Sequence, residues 1–201
     1  IDTRYTCVSF AADGKDPLFA KEKNKKWENP GTGGRNRIYR EVSKKASVDL
    51  ARKTLEASPF TPEDVTHVIT ASCTGFYNPG PDYYIIRDLE LSADVQRYHL
   101  GFMGCYAAFP ALRLADSLCE KDPDAVVMIQ CMELCSLHVQ LNTDNPETIV
   151  AGSLFADGAG CALVSARPPQ SGESGYVLHA LNSALTPSGG GSMAWDVGNH
   201  G

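Results

Sequence analysis

Gly101-Phe102-Met103-Gly104-Cys105-Tyr106-Ala107-Ala108-Phe109-Pro110-Ala111-Leu112-Arg113-Leu114-Ala115 is the stretch around which the chain is organised. A strand-like run, Val95 to Leu100, leads into it, and an almost wholly apolar helical run leads out. The order is strand, glycine turn, cysteine, buried helix. A thiol at a helix N-terminus meets the positive end of the helix dipole and unpaired backbone N–H groups, both of which favour thiolate over thiol. Gly104 permits a sharp turn there and leaves room for a substrate to approach. The competing reading makes Cys105 one more small core residue; the glycine turn in front of it favours the reactive reading. Pro110 lacks a backbone N–H, a loss that costs about 3 kcal/mol in mid-helix. We therefore expect a kink near Tyr106, or a regular helix that begins only around Phe109.

Working outward, His67 to Ser72 and Asp124 to Cys131 are continuous apolar runs rather than alternating ones, as strands buried on both faces of a parallel sheet read. Ser43 to Ala57 places Ala46, Val48, Leu50, Ala51, Leu55 and Ala57 at helical spacing and stops before Pro59. Thr61-Pro62-Glu63-Asp64 is a helix-start signature, with a capping hydroxyl, a proline at the first position and acids in the first turn. Tyr83 to Leu91 reads as a helix. Asn145-Pro146-Glu147 is a second cap, opening a helix to about Phe155. Asp157-Gly158-Ala159-Gly160 reads as a turn into a strand from Cys161 to Ala166, and two further strands are expected at Arg4 to Phe10 and Tyr176 to Leu185. Pro30-Gly31-Thr32-Gly33-Gly34-Arg35, behind Lys21, Lys23, Lys25 and Lys26, reads as a solvated loop, because no apolar strand precedes it and no Gly-Lys-Ser/Thr follows. The alternation predicts an α/β fold, a layered α/β/α arrangement with a mostly parallel five-stranded sheet ending in an antiparallel strand pair.

The 201 residues suit one domain with a sizeable core. A formal charge of -6 gives no footprint for nucleic acid, and no apolar run is long enough to span a membrane. Seven cysteines, at 7, 73, 105, 119, 131, 135 and 161, form no Cys-x-x-Cys pair and point to reduced thiols in a cytoplasmic protein. The chain opens at Ile1 without an initiator Met and stops at Gly201, so we expect a piece of a longer polypeptide.

Five stretches carry a resemblance. They are Thr70-Ala71-Ser72-Cys73-Thr74-Gly75; Asn78-Pro79-Gly80-Pro81-Asp82; Gly104-Cys105 with Leu112-Arg113-Leu114-Ala115; Glu133-Leu134-Cys135-Ser136; and Leu154-Phe155-Ala156-Asp157-Gly158-Ala159. In this order and spacing they resemble the type III polyketide synthases, the chalcone synthase-like branch of the thiolase superfamily, and the bacterial members more closely than the plant ones. The resemblance implies that residues 1–201 are a thiolase-like N-terminal domain of an acyltransferase. It implies that Cys105 takes an acyl group from a coenzyme A thioester, and that decarboxylation of malonyl-CoA supplies the carbanion for a Claisen condensation. Cys73, Thr74, Cys135 and Leu137 match positions lining the starter and cyclisation cavity. Phe155 matches an aromatic gate towards the coenzyme A tunnel, and Asn78 a position that reaches across a homodimer into the partner's cavity. No metal and no cofactor are implied beyond acyl-CoA and malonyl-CoA as substrates. The family's catalytic His and Asn are expected after residue 201, since His67, His99, His138, His179 and His200 sit in no matching motif; its first strand and N-terminal helix are expected before Ile1. The segment alone is therefore expected to be almost inactive.

Three rivals remain. A ketoacyl-carrier-protein synthase of the type III kind, or a hydroxymethylglutaryl-CoA synthase, would share the Cys-at-helix arrangement. A metal module would use Cys131, Cys135 and His138, three ligands where zinc normally takes four. A noncatalytic scaffold would keep the fold and leave Cys105 inert.

Overall fold

The structure, a computed structural model, describes residues 5–8, 18–19, 27, 29–191 and 194–201. Its centre is a mixed sheet in the order β2-β1-β3-β4, where β1 is His67–Ser72, β2 Gln96–Gly101, β3 Val126–Leu134 and β4 Asp157–Ser165. β1 is fully buried and pairs in parallel with both β2 and β3, aligning Ile69 with Tyr98 on one side and with Ile129 on the other. That explains its unbroken apolar sequence: residues on both faces of a central parallel strand meet helices. β4 runs antiparallel to β3, so the sheet ends in an antiparallel pair, made with β3 and not with residues 176–185.

Helices cover both faces. On one, α1 (Thr32–Glu56) and α2 (Pro81–Asp88) bury Val48, Ala51, Leu55, Ile85 and Leu89 against Val68 and Met128. On the other, α3 (Ala108–Lys121) sets Ala111, Ala115 and Cys119 on Ile69, Val127 and Ile129. The small residues of α3 let its backbone lie close to the sheet. A third cluster, Val8, Leu18, Phe19, Tyr39, Met132, Leu134 and Leu137, closes the end of the sheet where β1 and β3 finish. Among the described residues no helix is long and apolar enough to cross a membrane.

Several expectations need correction. The described residues form four strands, not five. Residues 176–185 form no strand, and Tyr176, Val177 and Leu185 are exposed; their composition suits a strand, but cross-strand neighbours and not propensity stabilise one. The strand expected at Arg4 to Phe10 lies largely outside the described residues, and 5–8 of it are irregular, Tyr5 contributing only a carbonyl to the Asp157 N–H. Asp157-Gly158-Ala159-Gly160 is not a turn but the start of β4, with Asp157 opposite Leu134 and Gly158 opposite Glu133. α4 (Pro146–Leu154) does begin at its cap, the Asn145 side chain accepting from the N–H of Glu147 at 2.8 Å.

The largest difference is at α1, which starts at Thr32 and not Ser43. The glycines read as a loop form its first turn. They are held there by Arg35, fully buried, whose Nε donates to Pro30 O at 2.9 Å and whose guanidinium donates to Leu137 O, to Val139 O at 3.3 Å and to Asn29 Oδ1 at 3.0 Å. Burial, with no carboxylate partner among the described residues, pulls its pKa down to about 10. Arg35→Met is expected to cost about 2–3 kcal/mol in urea unfolding: each buried carbonyl left without a donor costs about 1–3 kcal/mol, and relief from burying a charge offsets part of that. Lysine lacks the fork that reaches four acceptors, so Arg35→Lys should not rescue. A methionine variant as stable as the parent would remove Arg35 as the anchor.

Candidate functional site

β1 ends at Ser72 and β2 at Gly101, neighbours in register, so the two loops that follow leave the same edge of the sheet side by side. One carries Cys73, Thr74 and Gly75; the other carries Phe102, Met103, Gly104 and Cys105. Phe102 and Gly104 both have positive φ, 53° and 79°, which turns the chain sharply enough to bring the Gly104 N–H onto Cys73 Sγ at 3.3 Å. Glycine takes that backbone conformation without strain at 104. The chain then rounds a turn, with Ala107 N bonded to Gly104 O at 3.1 Å, before α3 begins at Ala108. Pro110 therefore sits in the first helical turn, where its missing N–H costs little; Tyr106 O takes the Phe109 N–H at 2.8 Å instead. Of the two expectations the second is close: the regular helix starts one residue before Phe109.

Cys105 is exposed, and so are its neighbours Phe102, Met103, Tyr106 and Phe109. The described residues do not form the dry pocket that favours thiolate attack on a thioester. The thiol does lie within electrostatic reach of two others, Cys73 and Cys135. The structure thus gathers three of the singled-out thiols at one edge of the sheet. Thr74 joins them: its hydroxyl accepts the Leu134 N–H at 2.9 Å and donates to Glu133 at 2.6 Å. Leu137 lies buried just beyond, in a 3-10 turn spanning Cys135–His138. Cys73 and Thr74 floor a shallow cleft with Asn36, Phe76, His138 and Trp195, of about 10 Å3, room for at most one water.

Two of the residues are placed apart. Asn78 does not line that cleft; it follows Gly75 around a cis Asn78-Pro79 bond and lines a separate cavity of about 200 Å3 with Tyr39, Asp82, Arg97 and His99. There Asp82, almost fully buried, is paired with Arg97 at 3.0 Å. Phe155 is an exposed aromatic just past α4. Asp157, two residues on, ties this segment to the edge of the sheet, accepting from Ser136 N at 2.8 Å and Ser136 Oγ at 2.7 Å.

Two residues that sequence reasoning did not assign stand out. Glu133, on β3, receives the Cys73 N–H on both oxygens, at 2.8 and 3.1 Å, together with the hydroxyls of Thr74 and of Ser72 at 3.3 Å. The available signal was an acid inside an apolar run. His138 donates from Nε2 to Thr74 O at 2.7 Å, while its buried Nδ1 has no partner. Burial pushes its pKa down, helped by Arg35, against the pull of the Thr74 carbonyl and Glu133, so the ring is neutral. Burial first, then Glu133, raises the thiols of Cys131 and Cys135, the latter to about 11. Cys73 is raised by burial, with Glu133 and Cys105 adding to it and the Gly104 N–H opposing. Among the described residues no three His, Cys, Asp or Glu side chains converge as metal ligands would, Cys131, Cys135 and His138 included.

A family profile described as "Chalcone and stilbene synthases, N-terminal domain" matches residues 1–168. The alpha-pyrone synthesis polyketide synthase-like Pks18 of Mycobacterium tuberculosis is 31% identical over 155 residues, 77% of this chain and 39% of that protein. Type III polyketide synthase C of Arabidopsis thaliana is 29% identical over 188 residues, 93% of this chain and 48% of its own. Among solved structures, 1,3,6,8-tetrahydroxynaphthalene synthase from Streptomyces coelicolor superposes with a TM-score of 0.79 at 27% identity, covering 87% of this chain and 49% of that one. The chain spans half or less of the length of these relatives.

Proposed function

Because this chain belongs to the chalcone and stilbene synthase family, whose N-terminal domain it carries, we propose that it supplies the acyl-accepting half of a type III polyketide synthase and that Cys105 is the acceptor. In the first step the Cys105 thiolate attacks the carbonyl of an acyl-CoA; a thioester to the protein forms and coenzyme A leaves as its thiolate. In the second, malonyl-CoA loses carbon dioxide and its carbanion attacks the Cys105-bound acyl carbonyl, releasing the cysteine and lengthening the chain by two carbons. Cys73, Thr74 and Cys135 form the wall against which the acyl group lies, with Leu137 buried behind them, Phe155 gates the coenzyme A side, and Asn78 reaches a second copy in a homodimer. The observation that carries this reading is the positive-φ turn at Gly104, which presents Cys105 beside Cys73 at the edge of the sheet.

The condensation also needs donors for the developing oxyanions, and losing one such donor typically costs about 100- to 1000-fold. His138 does not serve, because its Nε2 proton is given to Thr74 O. We propose that the histidine and asparagine that do so belong to sequence outside these 201 residues, as the relatives' greater length allows, and that the same sequence covers the apolar rim of Phe102, Met103, Tyr106 and Phe109. The exposure of Cys105 is what favours the noncatalytic alternative. Peptide mapping by mass spectrometry after incubation with a fatty acyl-CoA separates the two: one acyl group on the Cys105 peptide is expected, and acylation that spares Cys105 would favour the scaffold. Added malonyl-CoA should give no sustained polyketide from the 201-residue chain; sustained product would show that it needs nothing more.

A further inference from the structure

Cys105 is not the sole thiol at its site, and an acyl thioester does not by itself distinguish one sulfur from another. Cys73 and Cys135 lie within electrostatic reach of it, and Cys73 Sγ touches the Gly104 N–H. Cys73 follows the end of β1 and Cys135 the end of β3, and a carboxylate bridges those two ends. Glu133 is on β3, two residues before Cys135, and binds the Cys73 backbone through both oxygens. It also takes the Ser72 and Thr74 hydroxyls, and Thr74 in turn takes the Leu134 N–H, so the bonds close a ring between the ends of β1 and β3. Three donors, one of them shared by both oxygens, converge on a group that only accepts, the pattern of an ionised carboxylate.

We propose that Glu133 confines acyl transfer to Cys105: it fixes the Ser72–Thr74 turn and sets its negative charge between Cys73 and Cys135, making both poor nucleophiles. The inference rests on Cys105 being the acyl acceptor and adds the residue that makes it so selectively. Glu133 is a positioning residue here, acting through the thiols. The thiolate is the attacking species, and a fixed negative charge opposes a second one nearby. Burial is the larger cause at both thiols and Glu133 reinforces it, with Asp157 adding at Cys135. Among the described residues, Tyr39 from α1, His99 from β2, Cys131 on β3 itself and His138 after it also interact with the carboxylate. Tyr39 is held neutral by burial, and both histidines are pushed towards the neutral form by the same cause. None of them supplies a cation to cancel the charge.

Iodoacetamide labelling across pH, read peptide by peptide, tests this without any substrate. In the parent chain Cys105, the exposed thiol, should label faster at pH 8 than Cys73 or Cys135, both of which are raised by burial. Cys135 should follow a midpoint near pH 11. Cys73 or Cys135 titrating as ordinary thiols in the parent would overturn the proposal even if every variant misfolded. In Glu133→Gln, which keeps the shape and loses the charge, labelling of Cys73 and Cys135 at pH 8 should rise about three- to tenfold through a lower midpoint. Glu133→Asp should keep the parent midpoints. Equal rises in both variants, or faster labelling at an unchanged midpoint, would mean that the turn had merely loosened and that the charge selects nothing. Acyl-CoA loading then reads the consequence: acyl groups should spread to Cys73 or Cys135 in Glu133→Gln. A protein that takes acyl groups on no thiol, yet shows the expected labelling midpoints, contradicts the acceptor role of Cys105 and leaves the electrostatic ordering of the thiols standing.

Discussion

Cys105→Ala should lose acyl loading from an acyl-CoA by at least about 100-fold, without the remaining six cysteines taking over. The argument turns on the number of nearby thiols, because proximity alone would let a neighbour substitute. Cys135, raised to about 11, is thiolate in roughly one molecule per several thousand at pH 7.5. Cys73 is raised for the same first reason, burial, and its sulfur is engaged by the Gly104 N–H. Cys7 is further removed from ionisation, pushed to about 12 by burial and by Asp157. Cys105 alone among the seven is exposed, so it combines access with the turn that aims it. Intact-mass measurement after timed incubation, parent against variant, gives the ratio. Comparable acylation of the alanine variant would end the assignment of Cys105. Loss in the alanine variant with parental circular dichroism would exclude collapse of the loop, since a residue with no large buried surface should leave the fold intact.

How far this site could be read in the sequence depends on which force places each residue. β1 and β3 were legible because burial on both faces writes an unbroken apolar run, and α4 because a capping side chain precedes its proline. The first half of α1 was not legible. Its buried stripe runs Arg35, Tyr39, Ser43, Ser47 at a strict spacing of four, but three of these side chains are polar and one is a tyrosine. A hydropathy pattern cannot register a face satisfied by hydrogen bonds: Arg35 with backbone carbonyls, Ser43 with the Tyr77 hydroxyl at 3.0 Å, and the Ser47 carbonyl with Gln130 at 2.9 Å. The opposite error occurred at residues 176–185, where the residue types favour a strand and no neighbour pairs with them. At the site, the succession of strand, glycine turn, Cys105 and helix was legible. Glu133 was quoted only as part of a motif, because its role is made by the Ser72–Thr74 turn, 59 to 61 residues away in sequence. Long-range polar partners of this kind leave no local trace in a sequence.

Gly75→Ala should destabilise the fold by about 3 kcal/mol or more, at the upper end of what overpacking a core usually costs. A Cβ at this position would stand 2.1 Å from Tyr39 Cγ and 2.3 and 2.5 Å from its two Cδ atoms. The obstacle is the root of a ring and not a flexible tip, so no rotamer change clears it. Tyr39 is 1% exposed, belongs to α1 and packs edge-on to Tyr77 at 6.2 Å. The variant must therefore shift α1 or push back the turn after β1. Against a total stability of roughly 5–15 kcal/mol for a domain, either is severe. Urea unfolding gives the size, and a double-mutant cycle gives the cause: Tyr39→Leu costs stability alone, yet paired with Gly75→Ala it should recover about 1 kcal/mol or more of the summed losses. Additive losses would show that the ring is not what Gly75 accommodates. The cycle also reports on the site, because Gly75 follows directly on Cys73 and Thr74. If the turn yields, Thr74 leaves Glu133 and Cys73 labels faster in Gly75→Ala; if α1 yields, Cys73 keeps its parental rate and the loss appears in stability alone.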